Sequence, residues 1–463
     1  MPLKNLSRTG NKSGLNPYRA VAVGFLVLIA LGTAALSLPF ASRGSADTSV
    51  VTALFTVTSA VTMTGLVVVD TGSYWSPAGQ AVIAALIQVG GFGVMSLASL
   101  AGMLLTGRIG LRARLNTRAE NRALDTGDVG KTLLWTLAIT VICEVLVMIV
   151  FTVRFSLHYS MPFWRSLGEG IFYAISSFNN AGFALRDDSL VSYVGDAWII
   201  VPIVLSLITG GLGYPVVSEI VQRVGRKTSL LPHRWRNMRR KMSVTARVTI
   251  IGTITLIVTG VTMVAVFEWN NALADLPLGS KALAAVLQGV TPRTAGFNSV
   301  DYGEFHVVTL MGTDILMFIG GGSAGTAGGI KITTVAVLFA AIVAEVRGRK
   351  ETTIGSSTIE PQIVRQALTV VTISAAAVVA IIGSLRFIEP NINPDRIVFE
   401  VVSAFGTVGL STGITADLTD SSKLILCSLM YLGRIGPVTM AVALARKASD
   451  RRFTYPKERP YIG

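Results

Sequence analysis

Charge is scarce in this chain. Asp, Glu, Lys and Arg make up 14% of its 463 residues, against about 25% in ordinary soluble domains. Cysteine is nearly absent: Cys143 and Cys427 both sit in apolar runs, without metal-ligand spacing, and read as small hydrophobes. Three histidines, His158, His233 and His306, are scattered and pair with nothing evident. No nucleophile–base pair and no metal cluster stands out, which argues against a membrane enzyme and against an organic cofactor. No acidic cluster falls within the apolar runs either.

What the chain has is hydrophobic sequence, 51% of its residues. Several runs reach the length of about 20 residues that spans a bilayer. The main ones are 21–40, 82–106, 133–153, 199–217, 248–266, 335–344 with the residues before it, 368–382 and 424–445. A polytopic membrane protein is expected. Arg19 flanks the first run and no small-residue cleavage site follows, so this span is expected to be retained.

The net charge of +14 raises the question of nucleic acid. Its distribution answers it. Of the 40 Lys and Arg, 29 lie in 1–19, 107–131, 222–247, 345–365 and 446–463, each next to an apolar run. That is the positive-inside bias, and it predicts cytoplasmic termini and cytoplasmic long loops. No nucleic-acid partner is needed.

Between successive basic stretches the chain must leave and return, and the intervals look alike. Each holds a span, a shorter semi-apolar segment (49–62, 163–179, 279–291, 395–405), a polar stretch with glycine, and a second span. The short segments cannot cross at about 1.5 Å per residue and read as re-entrant helices. Aligned on one glycine, the polar stretches are Thr62-Met63-Thr64-Gly65, Asn179-Asn180-Ala181-Gly182, Arg293-Thr294-Ala295-Gly296 and Gly406-Thr407-Val408-Gly409. The glycines are 117, 114 and 113 residues apart, with Ser59, Ser176, Val290 and Ser403 six positions before them.

The expected fold is therefore an all-α polytopic membrane protein of four tandem M1–P-loop–M2 repeats around a pseudo-fourfold pore. It would have eight transmembrane and four re-entrant helices. A cytoplasmic segment 1–17 precedes repeats at 18–106, 132–221, 246–344 and 365–446, which are joined by cytoplasmic loops 107–131, 222–245 and 345–364 and followed by a tail 447–463.

Glycine at these positions carries chemistry. A dehydrated cation needs rings of backbone carbonyls in place of its water. Carbonyls face one axis only where some residues take dihedrals that glycine adopts without steric cost. Irregular backbone at membrane depth is tolerated where it lines a cavity, and a re-entrant helix aims its negative C-terminal end at a cation. These sixteen residues are the expected ion-binding filter, Arg293 bracing it by hydrogen bonds.

A second glycine-rich stretch interrupts the third repeat: Gly320-Gly321-Gly322-Ser323-Ala324-Gly325-Thr326-Ala327-Gly328-Gly329-Ile330-Lys331. It matches dinucleotide and hydrolase-elbow patterns, but both need a strand–turn–helix unit that is missing here. A Walker A motif fails too, since Ile332 follows Lys331. So much glycine leaves the backbone weakly committed to helix. A movable plug and tight helix packing both remain open. Arg434, inside the last span, is functional by default at that depth. It reads as an electrostatic barrier or plug holder, or as half of an ion pair with Asp314, Glu144 or Glu400.

These pieces resemble the Trk/Ktr/HKT superfamily of potassium transporters, most closely its KtrB-like membrane subunits, over about residues 18 to 446. The carrying motifs are 177–183, 291–297, 403–413, the glycine stretch and Arg434, with one span before the first pore loop as in KtrB-like members. The resemblance implies a potassium filter at Gly65, Gly182, Gly296 and Gly409, an intramembrane gating loop at 320–329, and an arginine below the filter. It also implies a homodimer in the cell membrane, one pore per protomer, docked on a cytosolic RCK-type nucleotide-binding ring. Arg112, Arg236 and the tail 451–457 are candidate contacts for dimer or ring. Sodium is known as an activator in the family, and nothing in the sequence locates a site for it. Leu410 stands where channel filters carry tyrosine, which predicts modest selectivity over sodium, whereas Gly65 favours potassium. The rival reading is a sodium- or proton-coupled secondary transporter, which also uses broken helices. It usually shows two inverted repeats, not four in the same sense.

Overall fold

Residues 17–44, 48–93, 129–227, 242–323 and 325–436 are described by the computed structural model. They are almost wholly helical, with one antiparallel pair, Thr353–Ile354 and Ser357–Thr358. The principal helices follow the sequence periodicity. The first repeat holds α1 (Pro17–Leu36), α2 (Val50–Thr62) and α3 (Pro77–Phe92). The second holds α4 (Val129–Leu157), α5 (Phe163–Phe178), α6 (Ala197–Leu212) and α7 (Tyr214–Lys227). The third holds α8 (Val244–Phe267), α9 (Leu278–Val290), α10 (Val307–Phe318) and α11 (Ile332–Val346). The fourth holds α12 (Pro361–Ile388), α13 (Pro394–Gly406) and α14 (Asp420–Ile435).

By length and composition, among the described residues Arg19–Leu36, Leu133–Leu157, Val244–Phe267 and Pro361–Ile388 are long and apolar enough to cross a membrane, and Ala197–Leu212 with Tyr214–Val221, bent by 106°, makes a fifth if the pair counts as one broken span and not a re-entrant loop. Many residues on these helices face outward and are apolar, as lipid contact requires: Trp135, Leu146, Ile251 and Val379 are all more than half exposed. The second helix of each repeat is shorter or interrupted. α3, α6 and α14 stop at Gly93, Gly213 and Gly436, whose φ values of 91°, 84° and 87° end the helix. α10 and α11 are parted by the glycine-rich stretch.

The short helices α2, α5, α9 and α13 have 13, 16, 13 and 13 residues and are buried over most of their C-terminal halves. Each packs on the long helix before it. The second helix of each repeat packs on the short helix of the next: α3 on α5, α6 on α9, α10 on α13, and α14 back on α2. The four units thus close a ring in chain order. Polar ties join the first and last helix of each unit where the short helix begins. Glu268 after α8 accepts from the His306 N–H at 3.0 Å. Glu389 after α12 accepts from Thr419 N–H at 2.9 Å. Arg154 at the end of α4 pairs with Asp196 at 2.7 Å, and Ser76 before α3 donates to the Phe40 carbonyl at 2.6 Å.

Candidate functional site: a closed ring of four glycine loops

Each short helix ends at its glycine loop, so four helix C-termini, with their partial negative charge, converge on the middle of the ring. The loops share one backbone form. Gly65, Gly182, Gly296 and Gly409 have φ of 89°, 71°, 73° and 89°, and two residues before them Met63, Asn180, Thr294 and Thr407 have φ of 56°, 56°, 65° and 50°. A non-glycine residue held in that left-handed region costs about 1–3 kcal/mol. Thr294 and Thr407 are β-branched, which makes the conformation rarer still. The surroundings hold it in place: all sixteen loop residues are buried.

The glycines touch one another in chain order. A Cβ on Gly65 would lie 2.5 Å from the Ala181 carbonyl oxygen, and one on Gly182 would lie 2.8 Å from the Gly296 Cα. One on Gly296 would lie 2.7 Å from the Val408 oxygen, and one on Gly409 would lie 2.1 Å from the Thr64 oxygen. The carbonyl before each glycine therefore faces the neighbouring glycine all the way round, and no side chain fits between them.

Serines six positions before the glycine support three loops. Ser59 accepts from Gly65 N–H at 3.0 Å and Ser403 from Gly409 N–H at 3.1 Å. Ser176 instead donates to the Phe183 carbonyl at 2.7 Å. Val290 has no hydroxyl, and the third loop is wound one residue tighter. Ala295 N–H bonds the Thr291 carbonyl at 3.0 Å, four residues back, where Thr64, Ala181 and Val408 reach five residues back. The expected hydrogen-bonded brace from Arg293 is not formed at Nε, which is buried without a partner among the described residues.

The glycine-rich stretch lies against this ring. Gly320 N–H bonds the Ile330 carbonyl at 2.8 Å, closing the stretch on itself, while Gly322 N–H bonds the Gly211 carbonyl at 2.9 Å and Thr326 N–H the Gly210 carbonyl at 3.3 Å. Lys331 Nζ donates to the Ala327 carbonyl, and Ser323 and Thr333 share a hydroxyl pair at 3.0 Å. A Cβ on Gly328 would come within 2.1 Å of Thr407 Oγ1, and the Thr326 hydroxyl donates to Asn180 Oδ1 at 3.1 Å. The stretch therefore contacts the second and fourth loops together. Ala324 lies outside the described residues, as do Arg112, Arg236 and the tail 451–457.

Arg434 donates from Nη1 to the Thr326 carbonyl and from Nη2 to the Gly90 carbonyl at 2.9 Å. Of the carboxylates considered for it, Glu144 accepts from Gln88 and Asn179, and Glu400 from Thr415. Asp314 buries Oδ1 without a hydrogen-bond partner. Sequence reasoning missed Gln88 altogether and considered Glu144 only as a partner for Arg434, not for Asn179. They lie 91 and 35 positions from Asn179, and no local pattern marks them. The recurring offset of the serines was legible, and their hydrogen bonds came from the structure.

The described architecture matches known proteins along its length. The TrkH model, "Cation transport protein", matches residues 15–455. Ktr system potassium uptake protein B of Bacillus subtilis strain 168 is 38% identical over 454 residues, 96% of this chain and 97% of that protein. The potassium/sodium uptake protein NtpJ of Enterococcus hirae is 34% identical, covering 97% of this chain and 98% of that one. The crystal structure of the potassium transporter TrkH from Vibrio parahaemolyticus superposes with a TM-score of 0.69 at 19% identity, over 95% of this chain and 87% of that chain. The chain belongs to the TrkH family of cation transport proteins as a KtrB-like member, a multi-pass membrane transporter and not an enzyme.

Proposed function

We propose that the chain is the potassium-translocating membrane subunit of a Ktr-type uptake system, conducting through a filter made of the four glycine loops. The observation that carries this reading is the ring itself: four loops, 113 to 117 residues apart in sequence, meet glycine to carbonyl and close in chain order. In each loop two left-handed residues flank one that is not, and the carbonyl between them lies against the neighbouring glycine. Rings of backbone oxygens replace the hydration shell of a cation. The converging helix ends favour positive charge there. Eight crossings follow if each second helix counts as one span despite its break, with 18–106, 132–221, 246–344 and 365–446 as the four units. Basic flanks favour cytoplasmic termini, and a cell-membrane location belongs to the same reading.

The stretch 320–329 serves as the gate. It is held to its surroundings by two backbone hydrogen bonds to the end of α6 and by one each to Asn180 and Arg434, few enough for it to move. Arg434, with its charge beside the pathway, is an electrostatic barrier and a tether for the gate. Homodimerisation, a cytosolic nucleotide-binding ring of the KtrA type and sodium activation belong to this reading through the family resemblance alone.

Cation flux into proteoliposomes holding this chain alone tests it. Uptake preferring potassium and rubidium over sodium and lithium, driven by membrane potential, is expected. A strict requirement for a sodium or proton gradient would overturn channel-like conduction in favour of a coupled transporter.

A further inference from the structure

Glu144 is a carboxylate in the interior of α4, more than two turns from either end. An ionisable group at such a depth is expensive unless its partners are in place. Its two oxygens are both engaged. Oε1 accepts from Asn179 Nδ2 at 3.2 Å and Oε2 from Gln88 Nε2 at 3.2 Å. Gln88 Oε1 in turn accepts from the same Asn179 Nδ2 at 2.9 Å, so the three side chains form a closed cycle. They come from three separate segments: the last helix of the first repeat, the first helix of the second, and the second glycine loop.

Asn179 is the first residue of that loop and is 2% exposed. Its amide also reaches back to the Ile175 carbonyl at 2.9 Å. Its oxygen lies against Gly91, where a Cβ would come within 1.9 Å. One residue before Gly91, the Gly90 carbonyl takes the Arg434 bond at 2.9 Å. Two residues after Asn179 comes Ala181, whose carbonyl faces Gly65 across the ring. A shift at Asn179 is therefore transmitted through two peptide units to a carbonyl of the ring.

The equivalent positions elsewhere are not held this way. Thr62 bonds within its own helix, to the Thr58 carbonyl at 2.6 Å. Arg293 buries Nε without a partner, and Gly406 has no side chain. Among the described residues, the first residue of the second loop is gripped by a carboxylate from another helix, and those of the other three are not.

We propose that Glu144 is a positioning residue for selectivity, fixing the second glycine loop through the Glu144–Gln88–Asn179 cycle. This rests on the reading of the loops as a selectivity filter. A loop free to relax would coordinate the smaller sodium ion more easily, so the effect falls on discrimination more than on rate.

The cycle has a mirror arrangement that makes it testable. In the double variant Glu144→Gln with Gln88→Glu, the carboxylate sits on α3, accepts from Asn179 and from the new amide on α4, and each bond is re-formed with roles exchanged. Potassium and sodium fluxes would be measured in proteoliposomes for the parent chain, Glu144→Ala, Glu144→Gln, Gln88→Glu and the double variant. Glu144→Ala is expected to lower the potassium-to-sodium ratio about tenfold or more, the lower end of the scale of one lost hydrogen bond to a charged group. Gln88→Glu, which sets two carboxylates face to face, is expected to do at least as much. The double variant should recover the parent ratio within about twofold, since it restores the same number of bonds. Glu144→Gln keeps the shape and serves where the alanine variant does not fold, with a smaller loss expected. An unchanged ratio in the foldable single variants, or a loss that the double variant does not repair, would overturn the proposal. A parent chain that shows no potassium preference would instead overturn the filter reading, and the two failures are distinguishable.

Discussion

The Thr326 hydroxyl donates to Asn180 Oδ1 at 3.1 Å, joining residues 146 positions apart. The two belong to the glycine-rich stretch of the third repeat and to the glycine loop of the second. Asn180 is also the left-handed residue of its loop, with φ of 56°, and its amide nitrogen donates to the Leu207 carbonyl at 3.3 Å. The glycine-rich stretch thus rests on a residue that shapes the ring, and α6 holds that residue from behind.

Breaking this latch is expected to favour the open gate. Thr326→Val keeps the side-chain volume and removes the donor, at a cost near 1 kcal/mol for a neutral hydrogen bond. Potassium flux through the purified subunit should rise about three- to fivefold, the same cost expressed as a population shift. Deleting residues 323–327 should raise it further. Flux at or below the parent level in both variants would remove the support for a gate here.

Gly296 cannot accept a side chain without moving its neighbours. Its φ is 73°, and a Cβ would lie 2.7 Å from the Val408 carbonyl oxygen and 2.9 Å from the Gly182 Cα. Gly296→Ser is expected to splay the third loop from the fourth and to lower potassium-over-sodium discrimination about tenfold or more, since each 1.4 kcal/mol is a factor of ten. Relative rubidium and sodium fluxes check it, and an unchanged ratio would remove Gly296 from the filter.

Arg434 binds the gate through the Thr326 carbonyl and the first repeat through the Gly90 carbonyl. Removing it takes away both a tether and a positive charge beside the pathway. Arg434→Gln should raise flux several-fold and weaken its dependence on the gate, so that combining it with the 323–327 deletion adds little. Additive effects in that cycle would show that barrier and tether act independently.

Glu389 supplies a pH-dependent tie at the end of the fourth repeat, outside the spans. Burial would raise its pKa. The hydrogen bonds from Thr419 and Ser422 and the charge of Lys423 outweigh that effect and hold the carboxyl below its usual range. A lowered folded pKa means stabilisation that is fully present above the unfolded carboxylate range and lost as pH falls through the folded value. Glu389→Gln should therefore unfold at a lower temperature than the parent near pH 7, and the difference should shrink as pH falls below the ordinary carboxylate range. A difference that persists unchanged at acid pH would contradict the sign.

Much of this molecule is legible in one dimension. The long apolar helices α1, α4, α8 and α12 follow from unbroken hydrophobic runs, because a backbone in lipid must satisfy its own hydrogen bonds. The loops at Gly65, Gly182, Gly296 and Gly409 could be found because one backbone form recurs at near-constant spacing and only glycine takes it at the point of contact. The departure at Val290 was visible as a missing hydroxyl, but that the third loop is wound one residue tighter, with Ala295 N–H on the Thr291 carbonyl, came only from the structure.

Side-chain meetings between repeats were decided by the tertiary structure alone. Nothing local tells that Gln88, Glu144 and Asn179 form one cycle, or that Arg434 turns to the carbonyls of Thr326 and Gly90. Nor does the sequence show that Gly210 and Gly211 leave room for the gate. Helix and strand periods report which way a residue faces on its own element. Which neighbour it meets depends on how four similar units close into a ring. The repeat that makes the fold readable makes each unit look like the others, and only their assembly tells one interface from the next.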